Sequence, residues 1–504
     1  MNTLPPYPEA DDLAASRVSG GDSRLDSALE IERWDELRAQ SHRMLDDMLD
    51  YIEGIRSRPA WQPMSAAVRA AFRADLPRCP TDLAAIHEDF LQHVLPYTGG
   101  NVHPGFMGWA QGSGTAVGML AEMLASGLNA NCGGRSHAPI AVEQQIVEWS
   151  RRLFGFPEGA TGLFVTGASI ANFVALLVAR RAALGPGSRQ AGVAATGMRL
   201  VAYASVATHA CVARAMEYAG LGSGQLRLIP VDTDHRIDLD ALRRAIDADR
   251  AAGSSPFFIV GNAGTVDIGA IDDLAALAEL AAAQRLWFHV DGALGAPGIL
   301  SPDIAPRLAG IERADSLACD FHKWMQVPYD AGFVLVRDGA LHCDTFAAPA
   351  DYLQRRARGL AAGEFWPTDF GPDLSRGFRA LKAWFTLRVY GTDQIGAAIS
   401  RTCRVARHLA ARVDSEARLE RLATVPLNIV CFRYRGTDAD TLNAAIVADV
   451  QESGVAVPST TRINGQVAIR AAIFNHRTRE SDVDALVDAV LRHGDRRVHS
   501  GSRE

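Results

Sequence analysis

The sequence predicts an α/β fold built on a mostly parallel, seven-stranded sheet with helices on both faces. Three observations predict it. Between residues 161 and 337, seven short apolar runs alternate with stretches of helical periodicity, the pattern of a parallel sheet whose crossovers are helices. The flanking segments read differently, helical before this region and mixed α+β after it. A chain of 504 residues, 48% hydrophobic and 22% charged, is long enough for such a sheet and the helices that cover it.

Taken in order, residues 1–28 are rich in Pro, Gly, Ser and Asp and predict a disordered tail. From about 29 to 74, "LEIERWDELRAQSHRMLDDMLDYIEGI" places apolar residues at three- and four-residue steps, with Pro59 and Pro63 as punctuation. A second helix covers "TDLAAIHEDFLQHVL" with Thr81 as its N-cap, so 29–100 reads as an N-terminal helical segment. The seven runs are "TGLFVT" (161–166), "RLVAYAS" (199–205), "LRLIPV" (226–231), "PFFIVGNAG" (256–264), "RLWFHVD" (285–291), "DSLACD" (315–320) and "GFVLVR" (332–337). Helical patterns fall over 169–184, 209–220, 238–251 and 272–284, within a large unit over 101–376. A long helix follows, "GFRALKAWFTLRVYGTDQIGAAISRTCRVARHLAARV". After it come a strand in "TVPLNIVCFRYR", a helix near 438–453, a strand in "QVAIRAAIFN" and a last helix near 481–493. These make a small C-terminal unit over 377–494, with 495–504 as a mobile tail.

Composition excludes several function classes. A formal net charge of −7 argues against nucleic acid as the main partner, and no block of like charge suggests a membrane surface. No run of about 18 apolar residues predicts a transmembrane helix. The start "MNTLPPYPEADDLAAS" lacks the basic-then-apolar pattern of a signal peptide. Seven dispersed cysteines, none in a CxxC pair, fit reduced thiols in the cytoplasm, and no metal site is expected.

In a sheet of this kind, ligands bind beyond the carboxyl ends of the strands. Thr166-Gly167-Ala168-Ser169 closes the first strand and opens a helix, which suits either a phosphate cradle or an ordinary N-cap serine in a tight turn. It is neither a Walker loop nor a GxGxxG turn. His209 opens the helix after the second strand, as a cap or as a ligand group. Asp291 ends an apolar strand, where a carboxylate is costly unless it caps a helix or meets a cation. "DFHKW" (320–324) sets Asp320, His322 and Lys323 after the sixth strand, and a lysine there either packs its stem or uses its amine. Phosphate donors, an acid, an imidazole and a lysine thus map to one sheet edge. Pyridoxal phosphate needs this set: an amine for its aldehyde, a carboxylate for its ring nitrogen, a helix start for its phosphate and a ring on its face.

The sequence resembles the group II pyridoxal-phosphate-dependent amino acid decarboxylases, which include the aromatic-L-amino-acid decarboxylases. The resemblance runs from about 35 to 490. It is carried by "NVHPGFMGW" (101–109), "TGASIAN" (166–172), "ASVATHACVARA" (204–215), "NAGTVDIGAIDD" (262–273), "LWFHVDGALGA" (286–296), "ADSLACDFHKW" (314–324) and "RGFRALKAWFTLRVYG" (376–391). It implies the fold-type-I architecture of pyridoxal-phosphate-dependent transferases and a homodimer with its sites at the interface. It also implies that Lys323 is the Schiff-base lysine, that Asp291 pairs with the pyridinium nitrogen and that Ala293 lies under the ring. His209 then stacks on the ring and orients the substrate carboxylate. Ala168 and Ser169 belong to the phosphate turn, Thr265 stands beside the ring, and Asp320 and His322 line the cofactor pocket. A mobile loop, here about 341–372, puts Tyr352 where the family carries the tyrosine that protonates Cα. Relatives with phenylalanine there tend toward oxidative aldehyde formation.

For the substrate, Trp109 falls where relatives contact it, His103 and Gln111 can meet a polar side chain, and Arg470 matches a family arginine near the site. Arg135 suits an acidic substrate or a structural salt bridge. Gly105, Gly108, Gly112 and Gly114 serve either a wider pocket or tight turns. The implied activity is a carboxy-lyase acting on an aromatic or other hydrophobic L-amino acid. Its alternatives are an aldehyde synthase or an aminotransferase on the same fold, a silent binding protein, and a nicotinamide dehydrogenase, which the missing glycine fingerprint disfavours.

Overall fold

A computed structural model describes residues 29, 31, 33–348 and 354–501. The seven apolar runs become β1 (Thr161–Val165), β2 (Leu200–Ser205), β3 (Leu226–Ile229), β4 (Ser255–Asn262), β5 (Trp287–Asp291), β6 (Ser316–Asp320) and β7 (Gly332–Val336). They form one sheet in the order β1-β7-β6-β5-β4-β2-β3. Strands β3, β2, β4, β5 and β6 are parallel, and most of their residues are buried, which is why they read as continuous apolar runs. β7 is antiparallel to both β6 and β1. The segment 321–331 is shorter than the crossover of about a dozen residues that a parallel return needs, so the chain doubles back.

That reversal positions the site. Val165 pairs with Gly332, and Gly332 pairs with Asp320, so the ends of β1 and β6 face the same edge one strand apart. The helix Ala168–Leu184 leaves β1 and packs across β6 and β7 through Ala171, Val174, Ala175 and Val178, whose small size lets it lie close to Ala318 and Val334. Gly332 allows a close approach of this turn: a Cβ there would sit 2.3 Å from the Cα of Gly167.

A second sheet is antiparallel throughout. β8 (Leu419–Arg421), β9 (Ile429–Tyr434), β10 (Ser459–Ile463) and β11 (Gln466–Ala472) lie in the order β10-β11-β9-β8, covered by the helices Ala439–Glu452 and Glu480–Gly501. Its core is separate from that of the large sheet and includes Met107, far away in sequence. Residues 105–108 run along this sheet: the Met107 N–H donates to Val457 O (3.0 Å), and the Ala472 N–H donates to Met107 O (2.7 Å). The stretch expected within the large unit therefore packs on the small one.

Several boundaries move. The N-terminal helix is Trp34–Glu53, followed by a short helix Ala66–Ala71 rather than a continuous pattern to 74. Asp82, not Thr81, caps the next helix, because its carboxylate accepts the Ala84 N–H. The helix expected over 377–413 is Arg379–Asp414, broken at Gly391, whose φ of 70° no helix tolerates. The last helix runs on to Gly501, through the expected tail. Helices Ala116–Leu128 and Ala138–Leu153 were not expected, and both pack on Arg379–Asp414. Part of the expected loop, Gly339–Phe346, is helical, and Tyr352 lies outside the described residues. Among the described residues, no helix is long and apolar enough to cross a membrane.

Candidate active site

At the edge where β1, β5 and β6 end, a cavity of about 270 Å³ is lined by Thr166, Ser169, His209, Asp291, Asp320 and Lys323, among others. Ala168, Ala293, Asn262, Cys211, His322 and Tyr329 complete most of its wall. Eight of the residues singled out in the sequence are thus brought together by four separate loops.

Lys323 follows β6 in a tight turn, and its Nζ lies 2.8 Å from Asp320 Oδ2. Burial works against its charge, but Asp320 and then Asp291 outweigh it, so the ammonium pKa is raised. Asp320 does double duty. Its Oδ1 accepts the Ala168 N–H at the start of the helix Ala168–Leu184 (2.7 Å), tying the lysine turn to the phosphate-type turn. His322 is buried and its pKa is lowered by desolvation; its Nδ1 accepts the Ala331 N–H (3.0 Å), so the proton of the neutral ring is on Nε2, 3.6 Å from Asp320. Tyr329, which the sequence reading passed over, stacks on His322 with centroids 4.2 Å apart.

Asp291 is only 7% exposed. Burial pushes its pKa up, with Lys323 acting in the opposite direction. Its hydrogen-bond donors are Asn172 Nδ2 (3.1 Å) and the Ala293 N–H (3.2 Å), both neutral. A buried carboxylate on a cavity wall with neutral donors has room for one cationic partner from within that cavity. His209 is exposed at the mouth, where its Nδ1 accepts the Cys211 N–H (3.2 Å).

Several of the expected residues fall outside the wall. Thr265 is buried in a turn, its hydroxyl accepting the Ala270 N–H (3.0 Å). His103 is buried in a different, small cavity and accepts the Gly105 N–H (2.9 Å). Arg470 spends its guanidinium on three backbone carbonyls, those of Val266 (2.6 Å), Gly108 (2.8 Å) and Asp267 (3.1 Å), so it is a brace and not a carboxylate receptor. Trp109 is half exposed, next to Ala110 of the wall. Arg135 lies over the ring of Trp366 (4.8 Å). The glycines at 105, 108 and 112 serve close backbone approach rather than a wide pocket. At Gly112, a Cβ would lie 2.2 Å from Lys323 O, and its N–H donates to His322 O.

The residues behind Asp291 were also missed. Asn172 and His289 sit within apolar runs, and a polar group there signals an internal partner.

Comparison with known proteins agrees with this geometry. Residues 66–435 match the model of the pyridoxal-dependent decarboxylase conserved domain. An aromatic-L-amino-acid decarboxylase of Bacillus atrophaeus is 33% identical, over 88% of this chain and 92% of that protein. A phenylacetaldehyde synthase of Arabidopsis thaliana is 27% identical, over 89% and 94%. The crystal structure of Catharanthus roseus tryptophan decarboxylase in complex with L-tryptophan superposes with a TM-score of 0.81 at 25% identity, covering 92% of this chain and 99% of that one. The donor set fits pyridoxal phosphate: an amine, a buried acid lacking a cationic hydrogen-bond donor, and a helix start share one cavity. The chain belongs to the pyridoxal-dependent decarboxylases, carboxy-lyases that act on amino acids with pyridoxal phosphate as cofactor.

Proposed function

We propose that this enzyme converts an aromatic L-amino acid to its amine and carbon dioxide, with Lys323 as the residue that carries the cofactor. The observation behind this reading is the pairing of Lys323 with Asp320 at 2.8 Å in the cavity that Asp291 also lines. The aromatic class rests on the similarity to the Bacillus enzyme and on Trp109 beside the wall.

Pyridoxal phosphate, when bound, supplies an electron sink for the pair left at Cα when carbon dioxide departs. Lys323 would hold the cofactor through its aldehyde, with Asp320 orienting the amine and taking up the proton that an ammonium must shed to become a nucleophile. Asp291 would pair with the protonated ring nitrogen, and the turn of Ala168 and Ser169 at the start of the helix would hold the phosphate. His209 and Ala293, both on the cavity wall, would hold the ring between them, with His209 orienting the substrate carboxylate, and Tyr352 would be the proton donor to Cα. His209 and Trp109 are exposed in a single chain, which supports a homodimer that covers them. Seven free thiols support a cytoplasmic location.

Product analysis by mass spectrometry tests the reading. The cofactor-loaded protein is incubated in air with the standard L-amino acids, DOPA and 5-hydroxytryptophan. An amine from an aromatic substrate is the expected result. Aldehyde with ammonia and peroxide would assign the chain to the aldehyde synthases, and a keto acid to the aminotransferases. Tyr352→Phe should divert product toward aldehyde.

A further inference from the structure

Behind Asp291, on the side away from the cavity, polar side chains from β5, β6 and the helix Ala168–Leu184 form an unbroken line. Trp287 Nε1 donates to Ser316 Oγ (2.8 Å), Ser316 Oγ meets His289 Nδ1 (2.8 Å), His289 Nε2 meets Asn172 Oδ1 (2.6 Å), and Asn172 Nδ2 donates to Asp291 Oδ2 (3.1 Å). Ser316, His289 and Asn172 are almost wholly buried.

The direction of every bond follows from what each group can do. An indole N–H only donates, so Ser316 Oγ is an acceptor there and its single proton is free for His289 Nδ1. At the other end an ionised carboxylate only accepts, so Asn172 turns its NH₂ to Asp291 and its carbonyl oxygen to His289. His289 must then carry its proton on Nε2. The Asp291 end demands this tautomer, and the Ser316 hydroxyl, free to donate to Nδ1, matches it. The ring is neutral, its pKa pushed down to about 3 by burial, so one nitrogen donates while the other accepts. All four bonds run in one sense, from Trp287 to Asp291. A protonated Asp291 would still accept from Asn172, but hydrogen bonds to a carboxylate are stronger than those to a neutral carboxyl, so the donors at both oxygens favour the ionised form.

We propose that His289, with Ser316 and Asn172, is a positioning residue that holds Asp291 as a carboxylate against the burial that favours its neutral form. Its effect on the reaction is to keep the cofactor's ring nitrogen protonated. This rests on the reading of Asp291 as the partner of that nitrogen.

The test uses full-length enzyme loaded with pyridoxal phosphate labelled with ¹⁵N in the ring, and reads the ¹⁵N shift across pH. His289→Phe keeps the ring that stacks on Phe258 but can neither donate nor accept. His289→Gln can do both. The midpoint at which the ring nitrogen loses its proton should fall by about one unit in His289→Phe, with roughly tenfold weaker cofactor binding, and should return in His289→Gln. A wild-type midpoint in a folded His289→Phe overturns the proposal. Should that variant fail to fold, Ser316→Ala removes the hydroxyl that donates to His289 Nδ1 and should shift the midpoint in the same direction; no shift overturns the proposal. Asp291→Asn, measured in parallel, separates the two readings. Loss of the protonated signal there with none in His289→Phe removes the role of His289 alone, whereas retention in Asp291→Asn removes the role of Asp291 and the proposal with it.

Discussion

Replacing Glu143 by leucine should cost this protein about 5 kcal/mol of stability, worked as follows. Glu143 and Arg376 are both nearly inaccessible and form a two-pronged pair, Oε1 to NH2 at 2.6 Å and Oε2 to NH1 at 2.9 Å. The same guanidinium donates to Cys132 O (2.8 Å) and Phe164 O (2.7 Å), and Glu143 Oε1 also accepts the Phe164 N–H (2.9 Å). Leucine leaves a buried guanidinium with two carbonyls and no counter-charge, a loss of about 3–5 kcal/mol. It also strands the Phe164 N–H, which costs a further ~1 kcal/mol or more. Against a typical total of about 5–15 kcal/mol this is severe. Because Phe164 lies in β1, two residues before Thr166, the cofactor should also dissociate faster. Urea unfolding of Glu143→Leu, Arg376→Met and the double variant, at one protein concentration, is the assay. The double variant should be more stable than Glu143→Leu, since it buries no lone charge. A loss below about 1 kcal/mol in Glu143→Leu, or simple additivity of the two singles, would refute the reasoning.

Lys323→Ala should abolish amine formation, and it should also remove the visible band that borohydride bleaches in the wild type; persistence of both would contradict the assignment. Gly112→Ala should weaken cofactor binding and destabilise by about 1–3 kcal/mol, because its Cβ would lie 2.2 Å from Lys323 O; unchanged affinity and melting would show that this backbone can yield. Stability should fall between pH 7 and pH 5. His289 and His342 are buried neutral with pKa values pushed down to about 3, so the unfolded chain takes up their protons near its ordinary value of 6.5 while the folded chain does not. Each contributes stability that is present above 6.5 and is lost toward 3, about 2 kcal/mol by pH 5. Urea midpoints at the two pH values check this, and a flat or rising trend would refute it.

Much of this was legible in the sequence, for reasons that differ from element to element. Strands β2, β4, β5 and β6 are buried on both faces and so stand out as apolar runs. The turns that follow them line the cavity because it lies beyond the strand ends. β8 and β10 were invisible: one has three residues, and the other, "STTRI", is a polar edge strand paired with β11. Arg470, His103 and Thr265 bear the residue types of a binding site, yet each is committed to backbone groups distant or adjacent in the chain, and no local pattern shows which. The line from Trp287 to Asp291 was hidden for the same reason, since its members come from three separate stretches.

β1 lies at the edge of its sheet, and among the described residues it pairs with β7 alone, the last strand of that sheet to be made. On the ribosome, about 170 residues and roughly 10–30 s separate the two. Throughout that interval "TGLFV" is an apolar segment with unsatisfied backbone groups, dependent on shielding by the helix that follows it or by chaperones. Val165 reaches Gly332 only once the lysine turn has also been synthesised. The turn that opens the helix Ala168–Leu184 and the turn that carries Lys323, which line one cavity, are therefore brought together when β7 pairs with β1 and β6.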